Sequence, residues 1–428
     1  MSVVYVSNLH KQDSEMDRDH GTSRKRPRLD DEDVVDYLHH NEEELDHPVI
    51  KEPGVIRDDT YYMSDGSCIL RVENTLFNVH RTILSRDSSS FGSMFTFPQG
   101  DNQEEGMSDD NPIILIGDAV SEFKNFLWAL YALPPELMIV HTPQANLPRL
   151  IDIARVANKY SYKSVETWSL DAIQEFVNRK PSPILAQFTN GASVSSGHDV
   201  TNFKQASEQI TRLITLAQLC NHERLLTTMI LLLRQLMTST LQYAYLAMTL
   251  ADELNLRVLK GAAYLEVMSK AKLVAKHMNT LGKGKRGGDE PLEGTINAKG
   301  RLVVTPDQHL RLLCGYHGLS RTWEQLRGHP PTFEHASSCG ATWHQHGCTQ
   351  SWLEFWKEKS RGEGVLALGL ADVLGRLRAI AKEFDKWGSA TYMHHDCRMN
   401  AKRCIQEKIK HIEDALPDYF SEMGECDI

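Results

Sequence analysis

The pattern of apolar and polar positions divides the chain into regions of different character. Residues 1–60 carry few large apolar side chains and many charged ones. Such a segment buries too little surface on folding to offset the entropy of ordering its backbone. The pattern therefore predicts a disordered tail over residues 1–60.

A strand pattern begins near Ser67. The stretch "CILRVENTLFNVH" contains two β-rich runs, Ile69–Val72 and Thr75–Val79, on either side of the turn-forming pair Glu73-Asn74. Two such runs around a short polar turn are typical of a β-hairpin. A third strand is predicted in "PIILIGD", which follows a polar loop.

Short helices are predicted beside these strands. The stretch "RTILSRDSSSFGSMF" is typical of two short helices, and the side chains of residues 87–89 are suited to cap the second one. In "SEFKNFLWALYAL", Ser121 occupies an N-cap position ahead of apolar residues at helical spacing. The elements together predict an α/β module over residues 61–180, a small mixed sheet flanked by helices. We expect its core to include Phe77, Leu84, Phe91, Met94 and Phe95.

Three later segments resemble one another. If Ala157, Ala217 and Ala251 are aligned, similar residues recur at fixed distances behind each of them. These residues are Tyr160, Cys220 and Leu254, then Val165, Leu225 and Leu259, then Ile173, Leu233 and Val267. The shared pattern is a helix, a short polar corner and a second helix, each with an apolar stripe. It predicts a stack of helix pairs that continues as a helical extension over residues 205–275.

The remainder of the chain is predicted to be a linker followed by helices. The stretch "LGKGKRGGDEPLEGTINAKG" is rich in glycine and lysine, which favours a flexible linker over residues 276–304. Beyond it, apolar residues at helical spacing predict a mainly helical region over residues 305–428. The spaced residues are Leu374, Leu377 and Ile380 in one helix and Ile405, Ile409 and Ile412 in another. An aromatic cluster is expected to pack in a core rather than to form a ligand cage, and it comprises Trp343, Trp352, Phe355 and Trp356.

Composition and charge argue against several classes of function. The net charge of -10 disfavours a surface built for phosphate backbones, so direct contact with nucleic acid is not expected. The apolar run "MILLLRQLM" contains Arg234 and is shorter than the roughly 18 residues of a membrane-spanning helix. The N-terminus "MSVVYVSNLH" lacks the charged start of a signal peptide. We therefore expect a soluble, unsecreted protein whose eight scattered cysteines are reduced thiols.

Several possible zinc ligands lie between Cys314 and Cys404. They are Cys339, Cys348, Cys397, His344, His346, His394 and His395. The stretches "CGATWHQHGC" and "HHDCRMNAKRC" lack the close Cys-x-x-Cys pairs that are typical of tetrahedral zinc sites. The spacing therefore predicts no metal site, with less than about one zinc per chain. No other cofactor is expected, because "GKGKRGG" lacks the ending of a phosphate-binding loop.

A compact basic cluster lies within the predicted tail. In "SRKRPRLDDED", the residues Lys25, Arg26, Pro27 and Arg28 precede a run of acids. Clusters of this composition resemble monopartite nuclear-localisation signals. A solvated charged tail is the other interpretation, so the protein is expected in the nucleus or the cytoplasm.

The order of elements from Asp65 to Phe176 resembles a known domain. A strand, a turn and a strand that ends in Phe-x-Val-His-Arg precede "ILSRDSSSFGSMF", "IILIGD", "FLWALY" and "LIDIARVANKY". This order is similar to that of the BTB/POZ domain, particularly the version expanded in fungal proteins, and the helical extension resembles a BACK-type extension. The resemblance implies an assembly module without catalytic activity, which dimerises or recruits protein partners.

The resemblance also marks candidate interface residues. In BTB/POZ domains a His-Arg pair belongs to a charged pocket beside the dimer seam, opposite an Asp that precedes the first strand. Here the pair is His80 and Arg81, Ser67 stands at the place of that Asp, and an acid is present at Asp65. Asp65, His80 and Arg81 are therefore candidate partner or dimer contacts, and the departure at Ser67 predicts a weak, concentration-dependent homodimer.

From these observations we expect a non-enzymatic protein-interaction scaffold. Two alternatives remain open at this point: a substrate adaptor of a cullin-type ubiquitin ligase, and a nuclear transcription-associated factor. No catalytic residues are predicted, because the serine run at residues 88–90 lacks a Gly-x-Ser-x-Gly elbow. A histidine beside an arginine is also a poor general base when no carboxylate orients it.

Overall fold

The computed structural model describes residues 54–97, 105–181, 183–184, 198–276, 293–297, 299–340, 342–387 and 393–421. The chain divides into two compact units. The first consists of residues up to Gln144 together with Asp152–Ser169, and the second consists of Ala145–Ile151 together with the residues from Leu170 onward. The basic cluster at residues 25–28 and most of the predicted linker lie outside the described residues. None of the helices in the described part is long and apolar enough to cross a membrane.

A four-stranded mixed sheet organises the first unit. Its strands are β1 (Ile56–Tyr62), β2 (Cys68–Val72), β3 (Thr75–Val79) and β4 (Ile113–Leu115), in the order β1-β3-β2-β4. Strands β2 and β3 form the predicted antiparallel hairpin, whose turn has a positive φ of 51° at Glu73. Strands β1 and β4 pair in parallel with β3 and β2. The prediction of a disordered tail up to residue 60 was wrong at its end, because β1 already begins at Ile56.

Helices cover this sheet and continue from it. They are α1 (Arg81–Leu84), α2 (Ser90–Thr96), α3 (Val120–Tyr131) and α4 (Pro134–Met138), followed by α5 (Leu147–Lys159) and α6 (Lys163–Asn178), which each cross the boundary between the units. Ser89 caps α2 as predicted, since its hydroxyl accepts a hydrogen bond from the Gly92 N–H at 3.4 Å. The predicted cap at Ser121 was wrong. Helix α3 begins one residue earlier, after Ala119, so Ser121 lies inside its first turn.

The apolar residues of the hairpin and α2 form the core of the first unit. Phe77, Leu84 and Phe91 are fully buried. The ring of Phe91 stacks on that of Tyr160 with centroids 4.4 Å apart. Met94 and Phe95 were also predicted as core residues, but they pack against the core only partly buried. They lie in the last turn of a short helix, of which only Phe91 is fully buried.

The three aligned alanines begin the same helical corner. Ala157, Ala217 and Ala251 are completely buried. At each corner the carbonyl of the alanine accepts a hydrogen bond from the N–H five positions later, in Tyr162, His222 and Leu256. The residues just before these donors have positive φ, and they are Ser161 (57°), Asn221 (50°) and Asn255 (50°). This geometry ends one helix and turns the chain into the next, which confirms the predicted pattern of helix, corner and helix.

The second unit is mainly helical. Its helices are α7 (His198–Leu219), α8 (Glu223–Ser239), α9 (Leu241–Glu253), α10 (Arg257–Lys270), α11 (Pro306–Gly328), α12 (Thr342–Lys359), α13 (Glu363–Leu366), α14 (Val373–Lys386) and α15 (His395–Tyr419). Helices α7 to α10 pack on one another in chain order, and α15 packs on α10, α11 and α14. A short parallel pair joins β5 (Leu273–Ala275) to β6 (Leu302–Val304). The last three residues of the predicted linker, 302–304, therefore form a buried strand.

An aromatic core holds the C-terminal helices. Trp352, Phe355 and Trp356 are buried, as predicted. Trp352 and Phe355 pack on Phe384, and Trp356 packs on Trp352. The indole N–H of Trp356 donates to the Leu326 carbonyl at 2.8 Å. Trp343 does not belong to this core, because 71% of its surface is exposed. The predicted apolar stripes are confirmed, with Leu374, Leu377, Ile380, Ile405 and Ile412 buried and Ile409 half-buried.

Candidate functional site

The imidazole of His80 lies between a tyrosine and a carboxylate. Its Nδ1 is 3.0 Å from the Tyr131 hydroxyl, and its Nε2 is 3.4 Å from Oδ2 of the exposed Asp65. The backbone N–H of His80 also donates to the Tyr131 hydroxyl at 3.0 Å. All three contacts are satisfied together when the hydroxyl donates to Nδ1 and the proton of the ring is on Nε2. Burial, followed by the charge of Asp65, raises the pKa of the Tyr131 hydroxyl.

Arg81 makes different contacts from its neighbour. Its guanidinium donates to the Glu105 carbonyl at 3.4 Å and lies over the ring of Phe95, 5.2 Å from the centroid. Its backbone N–H donates to the hydroxyl of Ser67 at 2.9 Å. The structure therefore brings Asp65 to His80, while Ser67 is bonded to the backbone of Arg81.

Two buried carboxylates tie the first unit together, and sequence reasoning missed both. Asp118 is 2.6 Å from the Lys159 ammonium and also accepts a hydrogen bond from the Tyr160 hydroxyl. Asp58 lies 2.7 Å from the Lys124 ammonium. Asp58 lies within β1, and Asp118 follows β4. Their cationic partners come from helices α3 and α5, which only the tertiary fold brings close. These ion pairs are structural contacts between elements.

Strand β4 presents apolar side chains to solvent. It lies at one end of the described sheet, and Ile114 is 56% exposed because it points away from the core that receives Ile113 and Leu115. Ile116, just beyond the strand, is 77% exposed. Beside Ile114, on the neighbouring strand, is Arg71.

The structure assembles three of the candidate zinc ligands. The sulfurs of Cys339, Cys348 and Cys397 and a ring nitrogen of His335 all lie within 4.8 Å of one another. The Sγ atoms of Cys339 and Cys348 are 3.9 Å apart, and Sγ of Cys397 is 3.6 Å from Nδ1 of His335. All three cysteines are buried and His335 is half-buried. We refer to these four residues as the Cys3His cluster.

The other candidate ligands stay outside this group. Among the described residues, the group contains neither Cys314, Cys404, His344, His346 nor His395. His394 contributes its backbone N–H, which donates to Sγ of Cys348 at 3.2 Å. Sequence reasoning missed His335, although the spacing His-x-x-x-Cys in "HASSC" places it one turn before Cys339. Burial and the two neighbouring thiols raise the pKa of Cys339 to about 12.

Comparisons with known proteins add no relationship to this description. No protein-family model, no curated protein and no solved structure matches the chain.

Proposed function

We propose that the chain is a non-enzymatic protein-interaction scaffold that acts through a BTB/POZ-like module at residues 61–180. One observation carries the proposal: the stretch from Thr75 to Phe95 uses its side chains for architecture. Phe77, Leu84 and Phe91 fill one core, and the hydroxyl of Ser89 caps α2. These side chains are engaged in packing and capping, so none of them is left to bind a substrate.

The contacts of His80 favour an architectural role over a catalytic one. The chain of Asp65, His80 and Tyr131 has the order of groups that can activate a nucleophile. Nδ1 of His80 could act as the base, but the raised pKa of the Tyr131 hydroxyl disfavours the ionised form that would attack a substrate. The Tyr131 hydroxyl also accepts the His80 backbone N–H, so it fixes the entry to α1. We therefore assign these groups to holding the first helix on the sheet.

Strand β4 has exposed apolar residues that support a partner surface. Ile114 and Ile116 are exposed apolar residues, and Arg71 stands beside Ile114 on the next strand. The buried centre of an interface between proteins is more apolar than the rest of the surface, and arginine is enriched there. We propose this surface as the contact for a second copy of the chain, with the weak affinity expected from the departure at Ser67.

Sedimentation of the full chain over a wide concentration range tests this proposal. We expect a concentration-dependent dimer that the double change Ile114→Glu and Ile116→Glu abolishes. Leu313→Glu is the matched control, since Leu313 is 54% exposed in the second unit. A chain that stays monomeric at its highest soluble concentration would contradict self-association, and a dimer that the double change leaves intact would contradict the assigned surface.

Capture of partners from native extract separates the scaffold from its two alternatives. Recovery of a cullin with its RING partner would favour the ubiquitin-ligase adaptor. Recovery of chromatin proteins would favour a nuclear transcription-associated factor. Turnover of a small substrate by the purified chain, lost on His80→Ala, would overturn the scaffold proposal itself.

A further inference from the structure

We propose that His335, Cys339, Cys348 and Cys397 bind one structural Zn²⁺ ion. The inference is independent of the BTB/POZ-like module, because all four residues belong to the second unit. It reverses the expectation from sequence spacing, which considered only close pairs of cysteines.

The distances within the Cys3His cluster fit a tetrahedral zinc ion. With Zn–S bonds of about 2.3 Å, two sulfurs of a tetrahedron are about 3.8 Å apart, and with a Zn–N bond of about 2.0 Å a sulfur and a nitrogen are about 3.5 Å apart. The corresponding distances are 3.9 Å between Cys339 and Cys348 and 3.6 Å between Cys397 and His335. Every other pair of ligand atoms is also within 4.8 Å. One ion can therefore contact all four atoms after small side-chain adjustments.

Backbone N–H groups point at two of the sulfurs. The N–H of Ala336 donates to Sγ of Cys397 at 3.3 Å, and the N–H of His394 donates to Sγ of Cys348 at 3.2 Å. Such donors stabilise a thiolate more than a neutral thiol, because the sulfur then carries negative charge. Both donors come from residues next to the ligand segments, so the backbone fold itself provides them. The surroundings are those of metal-bound thiolates.

Charge balance explains why a dication suits this buried group. Three thiolates in one buried space repel one another, and burial disfavours each charge. A Zn²⁺ ion replaces three thiol protons: the protons leave to solvent, three Zn–S bonds and one Zn–N bond form, and the cluster keeps a net charge of about -1. No oxidant or reductant is involved. Sulfur and imidazole donors in a tetrahedron favour zinc over hard cations such as Mg²⁺ or Ca²⁺.

The position of the ligands indicates a structural role. His335 precedes the short 3-10 helix Ser337–Cys339, Cys339 ends it, Cys348 lies in α12, and Cys397 lies in the first turn of α15. An ion bound to all of them joins segments that are 62 positions apart in the chain. Because four protein ligands fill a tetrahedron, no position is left for a substrate or a reactive water.

Metal analysis of the purified full chain, produced with zinc in the medium and kept reduced, is the direct test. We expect about one zinc per chain in the wild type and far less in Cys397→Ser. Cys404→Ser is the matched control, since Cys404 lies in the same helix outside the cluster and donates to the Thr332 carbonyl. The control should keep its zinc.

A second measurement on the wild type covers the case in which Cys397→Ser fails to fold. The zinc is removed with a chelator under reducing conditions, Co²⁺ is added, and the visible spectrum is recorded. We expect the intense d–d bands of tetrahedral cobalt and a thiolate-to-cobalt charge-transfer band, both of which added zinc abolishes.

Several results would overturn the proposal. These are zinc below about a tenth of an equivalent together with no tetrahedral cobalt spectrum, or a full equivalent of iron or copper in place of zinc. A Cys339–Cys348 disulfide in the freshly purified, metal-free chain would instead assign the pair to redox chemistry. Full retention of zinc by a folded Cys397→Ser variant would also contradict the assigned ligand set.

Discussion

The hydroxyl of Thr349 fixes the imidazole of His335 by accepting a hydrogen bond from Nε2 at 3.1 Å. The proton of the hydroxyl is directed elsewhere, since Oγ1 also donates to the Gln345 carbonyl at 3.1 Å. The oxygen therefore offers a lone pair to the ring, which places the ring proton on Nε2. Nδ1 is then left with a free lone pair facing Sγ of Cys397. This is the tautomer that a metal-binding histidine requires.

The first prediction follows from this contact. Thr349→Val keeps the shape of the side chain but removes the acceptor, so it should weaken zinc binding by about 10–100-fold without removing a ligand. Competition with a chromophoric chelator measures the affinity. Thr349→Ser retains a hydroxyl and should bind zinc much as the wild type does. Equal affinities of the valine variant and the wild type would show that Thr349 does not position His335.

The second prediction concerns the core of the first unit. Phe91 is fully buried and stacked on Tyr160, so Phe91→Ala should lower the free energy of opening by about 3–5 kcal/mol. Phe95 is only half-buried, and Phe95→Ala should cost about 1–2 kcal/mol. Hydrogen exchange of the amides in β2 and β3 reports this unit by itself. Equal losses for the two variants would contradict the difference in burial.

Periodicity along the chain was sufficient to predict the elements that depend on nearby residues. The hairpin at Ile69–Val79 was found because its alternation and turn are local, and the three corners were found because each repeats one short pattern. Strand β1 was missed, since "IRDDTYY" is mostly polar and is completed by pairing with β3. Its stability comes from a partner that lies elsewhere in the sequence.

The Cys3His cluster illustrates the same limit for sites. His335 and Cys397 lie in segments that are brought together only when the 3-10 helix Ser337–Cys339 and α11 pack on α15. A Cys-x-x-Cys pair is one way of arranging zinc ligands along a chain. Its absence does not exclude a site whose ligands come from separate segments. Within the first unit, the structure places Asp65 against His80, and the roles of Asp65, His80 and Arg81 as partner contacts stay a prediction.

The third prediction concerns pH. Burial alone would raise the pKa of Asp58, but Lys124 and the N–H groups of Tyr61 and Thr60 outweigh burial, so the pKa is lowered. A carboxyl whose pKa is lower in the folded state stabilises the fold above its unfolded value of about 3.9, and this contribution disappears as the pH falls through the folded value. The stability advantage of the wild type over Asp58→Asn should therefore be present at neutral pH and shrink below about pH 4.

Hydrogen exchange of the first unit, corrected for the pH dependence of the intrinsic rate, measures that advantage. Glu73→Gln is a suitable control, because Glu73 lies in the exposed turn of the hairpin. An advantage of the same size at neutral pH and at about pH 3 would contradict the assigned ion pair.

The fourth prediction concerns residues outside the described part of the chain. Residues 1–40, fused to a cytosolic reporter, should move the reporter to the nucleus, because the basic cluster resembles the segments that import carriers bind. Changing Lys25, Arg26 and Arg28 to Ala should stop this movement, and fluorescence imaging records both results. A reporter that stays cytoplasmic with the intact segment would refute the import signal.

The last prediction concerns the contact between α11 and α15. A Cβ atom at Gly315 would lie 2.0 Å from a ring atom of Phe420, which is itself fully buried and stacked on Tyr264. The ring cannot move away without disturbing that stack, so Gly315→Ala should destabilise the second unit by about 1–3 kcal/mol. Gly328 ends the same helix with no atom within 4 Å of a Cβ, so Gly328→Ala should leave stability unchanged or slightly higher. Hydrogen exchange of α11 and α15 compares the two variants, and an equal effect of both would contradict close packing at Gly315.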